Sequence, residues 1–249
     1  MIAIGRRSTS EQTRRLRVYP TGAVGAKSDW MMTGEDPKFS PTVFLYEQPA
    51  NQTLSAHFHH NNEFQIFIEG AGKLGARKVT PVTVHYAGAY TAYGPIVAGP
   101  EGLKYFTLRT VHESGAILVA NSEGKWPAGP RRHATGKPLQ IRSMHELELL
   151  SEAKATTVLA RADDGLEATS LELPPNAPLA PIHIGCGEGV FVLMLAGSLV
   201  SADCVLNQRE SLYVTEDERF PTLLAGEQGA HLLTLIPPKR DPAYAYSGV

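Results

Sequence analysis

Apolar residues along this chain come mostly in short runs and alternations, punctuated by glycine, proline and asparagine. That pattern predicts many short strands joined by tight turns. Val43 to Tyr46, Val79 to His85, Leu103 to Arg109 and Phe191 to Leu195 are such runs, and Pro81 marks the second as an edge strand. Between Glu63 and Ile68 the alternation is sharper, with Glu63, Gln65 and Phe67 on one face and Phe64, Ile66 and Ile68 on the other. If the first face lines an interior, the second is an apolar stripe that the amino-terminal arm, a second domain or another subunit must cover. A homodimer or a tight interdomain sheet is therefore expected. Ser143 followed by Glu146 reads as a capping box opening the one helix, from Met144 to about Lys154. Residues 1 to about 40 are polar, with arginines at 6, 7, 14, 15 and 17. They read as a solvated arm more readily than as a patch for an anionic partner.

Composition narrows the class. At 249 residues the chain can form one large or two ordinary domains, and 43% hydrophobic residues suffice for a packed core. Lysine and arginine number 23 against 25 acids, which gives no reason to expect a nucleic-acid partner. Cys186 and Cys204 are too few for a disulfide framework, which fits a reducing compartment, and a cytoplasmic location is the expectation. Neither a signal peptide nor an apolar run that could cross a membrane is legible.

An internal repeat divides the chain. Residues 99–108, GPEGLKYFTL, align with residues 226–235, GEQGAHLLTL, at an offset of 127, and Gly70 carried forward lands on Gly197. Repetition over that distance is a duplicated domain. With the proline- and glycine-rich segment 122–142 as linker, the domains are expected at 1–121 and 143–249.

The candidate chemistry lies in one stretch. His57 and His59 would share a face of an extended strand, a turn at Asn61 and Asn62 would fold the chain back, and Glu63 would then lie beside the two imidazoles. Two neutral imidazoles and a carboxylate are a ligand set for a divalent first-row metal. The plainer reading is a polar cleft of hydrogen-bonded histidines. The spacing H-x-H-x3-E-x6-G, ending at Gly70, resembles the first motif of the cupins. That resemblance implies an all-β fold of two tandem jelly-roll (double-stranded β-helix) barrels with a short linker helix, and a metal in the first barrel held by His57, His59 and Glu63. A second cupin motif usually adds a histidine, but the stretch from Tyr93 to Gly99 has none. His60, His85 and His112 are the substitutes to weigh, or the metal is held by three ligands alone. Gln65 shares the face of Glu63 and could bind a metal-bound water or a substrate carbonyl, or simply tie two strands. Tyr93, beside the vacant histidine position, is the tyrosine favoured to place a hydroxyl in the pocket.

The repeat also says where the chemistry is absent: His57, His59 and Glu63 carried forward fall on Ile184, Cys186 and Val190. His183, Cys186 and Glu188 are residue types that bind zinc, but on one strand they do not share a face, so the second barrel reads as structural. The expected function is a metal-dependent cupin enzyme acting on a small oxygen-rich molecule. With Fe(II) the class is dioxygenase; with Mn, Ni or Zn it is isomerase or lyase. A small-ligand-binding bicupin without turnover is the rival.

Overall fold

The computed structural model describes residues 1–19, 22–34, 40–113, 115–122, 126–202 and 204–244. The chain divides into two compact units, one of residues 10–139 with 239–249, the other of residues 1–9 with 140–238. Each is antiparallel β structure of jelly-roll type. In the first unit the main sheet runs, neighbour to neighbour, His133–Thr135, Thr83–Ala87, Glu63–Leu74, Ile96–Arg109, Thr42–Gln48, Val24–Met32, Arg15–Val18. In the second the order is Ile2–Gly5, Ser211–Val214, Val190–Val200, Leu224–Ile236, Glu167–Leu173, Lys154–Leu159.

The offset of 127 relates the strands as well as the sequence: Glu63–Leu74 corresponds to Val190–Val200, and Ile96–Arg109 to Leu224–Ile236. Both pairs carry the same irregularity. Gly70 and Gly102 face each other with φ of 73° and 79°, Gly197 and Gly229 with φ of 70° and 81°. A Cβ on Gly70 would lie 2.2 Å from the Gly102 carbonyl oxygen, and one on Gly197 2.1 Å from that of Gly229. Glycine is required at both by backbone contact and by left-handed φ together. With a further shift between Lys104 and Tyr105, the first of these bulges leads into the register that places Arg109 opposite Glu63.

Several expectations change. The helix capped by Ser143 and Glu146 is present but spans only Met144–Glu148, and Lys154–Leu159 is a strand. The amino-terminal segment is no solvated arm: Ile2–Gly5 pairs with Ser211–Val214, Arg7–Thr13 is a helix, and two strands follow. Three of its arginines are paired with acids, Arg14 with Glu47, Arg15 with Asp29 and Arg6 with Glu210. Domain limits at 121 and 143 give way for a related reason, because residues 1–9 and 239–249 each belong with the other half of the sequence. Within 122–142, His133–Thr135 joins the first sheet through Thr83–Ala87. The stripe of Phe64, Ile66 and Ile68 is buried. No helix among the described residues is long and apolar enough to cross a membrane.

Because the clash at Gly70 is with backbone, Gly70→Ala and Gly197→Ala are each expected to destabilise by about 3 kcal/mol or more, while Gly115→Ala, into open space, stays within about 1 kcal/mol. Urea unfolding of the three variants measures this.

Candidate functional site

The predicted site residues do converge, by a route other than the expected hairpin. His57–Phe58 pairs with Ile117–Leu118, and His57 forms an isolated bridge to Tyr93. Asn61 and Asn62 are buried bracing side chains: Asn61 Nδ2 donates to Glu113 Oε2, 3.1 Å away, and Asn62 Oδ1 accepts from the Ala89 amide at 2.9 Å. His57, His59, Glu63, Gln65 and Tyr93 are all buried, with the two imidazole centroids 5.4 Å apart.

Tyr93 is the centre of this group. Its hydroxyl donates to Glu63 Oε1, accepts from Gln65 Nε2 at 3.0 Å and lies 2.9 Å from His57 Nε2. His57 Nδ1 sits 2.7 Å from the Ser55 carbonyl, which only accepts, so the ring proton belongs on Nδ1 and Nε2 offers a lone pair. Burial lowers the pKa of His57, and the bond to Ser55 only partly opposes it, which keeps the ring neutral. One phenolic proton thus faces two acceptors, His57 and Glu63. Burial, then the charge of Glu63, raises the Tyr93 pKa well above that of a free phenol.

Glu63 is held from its other side by a residue that sequence reasoning missed. Arg109 donates to Glu63 Oε2 through Nε at 2.8 Å and Nη2 at 2.7 Å, with both side chains buried. Burial alone would raise the Glu63 pKa. His59, Arg109 and the Tyr93 hydroxyl outweigh it and hold the carboxyl ionised, well below the ordinary carboxylate range. His59 Nε2 lies 3.9 Å from Glu63 Oε2, while its Nδ1 bonds Glu113 Oε1 at 3.1 Å. The side chain of Glu113 is largely covered too, and the His59 bond brings its pKa below the ordinary value despite that burial.

His57, His59, Gln65, Tyr93, Arg109 and Glu113 line a cavity of about 290 Å³, with Glu63 behind them. Phe44, Leu54 and Tyr105 supply apolar surface, and Lys27, Arg109 and, at an exposed position, Arg17 supply positive charge. Lys27 is pulled below its ordinary pKa by burial, against the opposing pull of Asp29, and its Nζ sits 3.9 Å over the Phe44 ring.

Whether this donor set fits the metal implied by the resemblance turns on Glu63. Both lone pairs of its Oε2 are taken by Arg109, and its Oε1 already accepts the Tyr93 hydroxyl, so a cation joining the imidazoles on this carboxylate would have to share it with the guanidinium. A divalent ion on Oε2 would stand about 4 Å from the guanidinium, a repulsion of roughly 8 kcal/mol at an effective dielectric near 20. Among the described residues no three His, Cys, Asp or Glu side chains are grouped so as to hold a metal ion. The residues as arranged therefore do not fit Fe(II), Mn, Ni or Zn on His57, His59 and Glu63. Nor do the substitutes complete a site. His85 Nδ1 bonds Thr135 Oγ1 at 2.9 Å, His60 stacks near Tyr90 with centroids 5.0 Å apart, and the His112 amide bonds Ser40. His183 and Cys186 are exposed. Gln65 is tied to Tyr93 through its amide nitrogen, while its Oε1 and the facing His85 Nε2 are buried with no partner among the described residues.

The second unit provides an internal comparison. At the offset of 127, His57, Glu63, Gln65, His85, Tyr93 and Arg109 become Ile184, Val190, Val192, Leu212, Phe220 and Ile236. These six belong to, or pack against, one apolar core cluster. The same frame closes with hydrocarbon in one barrel and with a polar network in the other, so the fold does not require the polar version.

No protein-family model matches this chain, and no curated protein sequence does. Solved structures match over nearly its whole length. A Nostoc punctiforme protein proposed as a dioxygenase is 14% identical with a TM-score of 0.62, over 98% of this chain and 84% of its own. The pirin YhhW of Escherichia coli, solved with nickel(II), is 12% identical with a TM-score of 0.56, over 96% and 99%. A single-residue variant of the oxalate decarboxylase of Bacillus subtilis is 10% identical with a TM-score of 0.56, over 93% and 77%. At these identities the likeness establishes the fold: the chain has the two-barrel cupin architecture that the His57–Gly70 motif suggested.

Removing one member of the buried pair strands the other charge, so Glu63→Val or Arg109→Ile alone should cost about 3–5 kcal/mol. The double variant, which installs the residues of the second barrel, should cost clearly less than the sum in a denaturant-based double-mutant cycle. Burial lowers the His85 pKa from 6.5 to about 4, against a smaller opposing pull from Glu63. Between those values the unfolded chain binds the proton and the folded one does not, so stability falls as pH drops from 6.5 towards 4, by up to about 3 kcal/mol in all. His85→Leu should flatten that part of the pH–stability curve.

Proposed function

We propose that the cavity of the first barrel takes a compact, oxygen-rich anion with an apolar body and moves a proton on it, as an isomerase or lyase does. The observation that carries this reading is the substitution of the polar network for the apolar cluster of the second barrel at corresponding positions. Buried polar groups that the architecture does not need are groups with a task. The anionic end of the ligand would be met by Lys27 and by Arg109, whose Nη1 makes no hydrogen bond to a described residue. Phe44, Leu54 and Tyr105 would hold the body. His57, neutral and with its Nε2 lone pair fixed by the bond to Ser55, would accept the proton through Tyr93, and the cations would stabilise the negative charge left on the ligand oxygen. Glu63 would hold Tyr93 and Arg109 in place.

The dioxygenase reading ranks second. The close approach of the His57 and His59 rings favours it, as does the fold shared with the Nostoc protein. It requires Glu63 to be released from Arg109. Binding without turnover ranks third.

A panel of small aromatic, 2-oxo and hydroxy acids, followed by calorimetry and by NMR in D2O, separates the readings. The proposal expects one or more carboxylates to bind, binding to weaken at least tenfold in Lys27→Gln, and deuterium to enter the ligand with wild type but not with Tyr93→Phe. Binding without deuterium exchange points to the binder. Oxygen uptake that depends on added Fe(II) points to the oxygenase. Failure of every acid in the panel to bind removes the anion reading.

A further inference from the structure

We infer that the guanidinium of Arg109 is the resident cation of the first barrel, standing in for the divalent ion of a metal-holding cupin site, and that it keeps such ions out. Three observations carry this. Arg109 places both Nε and Nη2 on one oxygen of Glu63, 2.8 and 2.7 Å away, while Tyr93 takes the other oxygen. The imidazoles are otherwise assembled, His57 and His59 with ring centroids 5.4 Å apart and His59 Nε2 3.9 Å from the carboxylate, so the donors are within reach of one another and the cation is what differs. In the second barrel the positions of Glu63 and Arg109 are Val190 and Ile236, both buried and apolar, so acid and base are present together or absent together. A metal ligand could be lost alone; a buried ion pair cannot lose one member without stranding the other.

The exchange alters what the site can do. A guanidinium supplies a fixed positive charge and directed N–H donors, but it has no coordination positions to open and no redox couple. The inference holds whichever ligand the cavity takes, and it can fail while the anion reading stands.

The test is Ni(II) titration, by calorimetry and by elemental analysis after dialysis, of untagged wild type, Arg109→Leu, Arg109→Gln, the double variant His57→Ala/His59→Ala and the triple variant Arg109→Leu/His57→Ala/His59→Ala. Wild type is expected to retain no stoichiometric nickel. The Arg109 variants should gain one equivalent, show a rise in melting temperature with Ni(II) that wild type lacks, and lose both when His57 and His59 are also replaced. Folded Arg109 variants that take up no nickel would overturn the inference. Wild type that retains one equivalent and loses it in His57→Ala/His59→Ala would overturn it as well, and this comparison decides alone if neither Arg109 variant folds.

Discussion

The first barrel is built around one buried ion pair, Glu63 with Arg109. Two opposite charges removed from water persist only if each is matched and the remaining lone pairs and protons are used. Arg109 gives two N–H groups to one carboxylate oxygen, and Tyr93 gives its hydroxyl proton to the other. From that requirement the rest of the wall follows: Gln65 donates to the tyrosine oxygen, His57 Nε2 stands beside it as a second acceptor for the phenolic proton, Ser55 fixes the His57 tautomer, and His59 bridges towards Glu113. Truncating any member leaves a buried group without its partner, which is why the network behaves as a unit.

The pair depends in turn on strand register. Thr107 stands opposite Gln65 and Leu108 opposite Phe64, so the next step along both strands sets Arg109 against Glu63. Two irregularities precede it along the pair of strands, the bulge where Gly70 and Gly102 nearly touch and a shift between Lys104 and Tyr105, and both recur in the other unit, at Gly197 and Gly229 and between Met194 and Ala196. Duplicated architecture with divergent filling separates what holds the fold from what does chemistry. Glycines recur at the bulges in both copies, while the polar wall occurs in one.

Much of this was legible in the chain. Short apolar runs and the 127-residue offset indicated two β barrels, and the histidine motif pointed to the right wall of the right barrel. What remained hidden was local or paired. The helix Arg7–Thr13 consists of polar residues with no apolar stripe, so no helical periodicity marks it. The hairpin expected at Asn61 and Asn62 failed because both amides are drawn into buried bonds, with Glu113 and Ala89, that a turn tip would leave in solvent. Arg109 was read as the end of an apolar strand. The alternation Tyr105, Thr107, Arg109 did mark the inward face, but only the register shows that a cation on that face meets the carboxylate assigned to a metal. Spacing along the sequence names donors; it does not say which of them another side chain has already engaged.

The most direct measurement is nitrogen-resolved NMR of the Arg109 Nε–H. A side chain locked on Glu63 inside the barrel predicts a slowly exchanging resonance at neutral pH, unmoved by added Ni(II) and lost or fast-exchanging in Glu63→Gln. A resonance that exchanges freely in wild type, or that shifts or broadens when one equivalent of Ni(II) is added, would contradict the pairing on which the account is built.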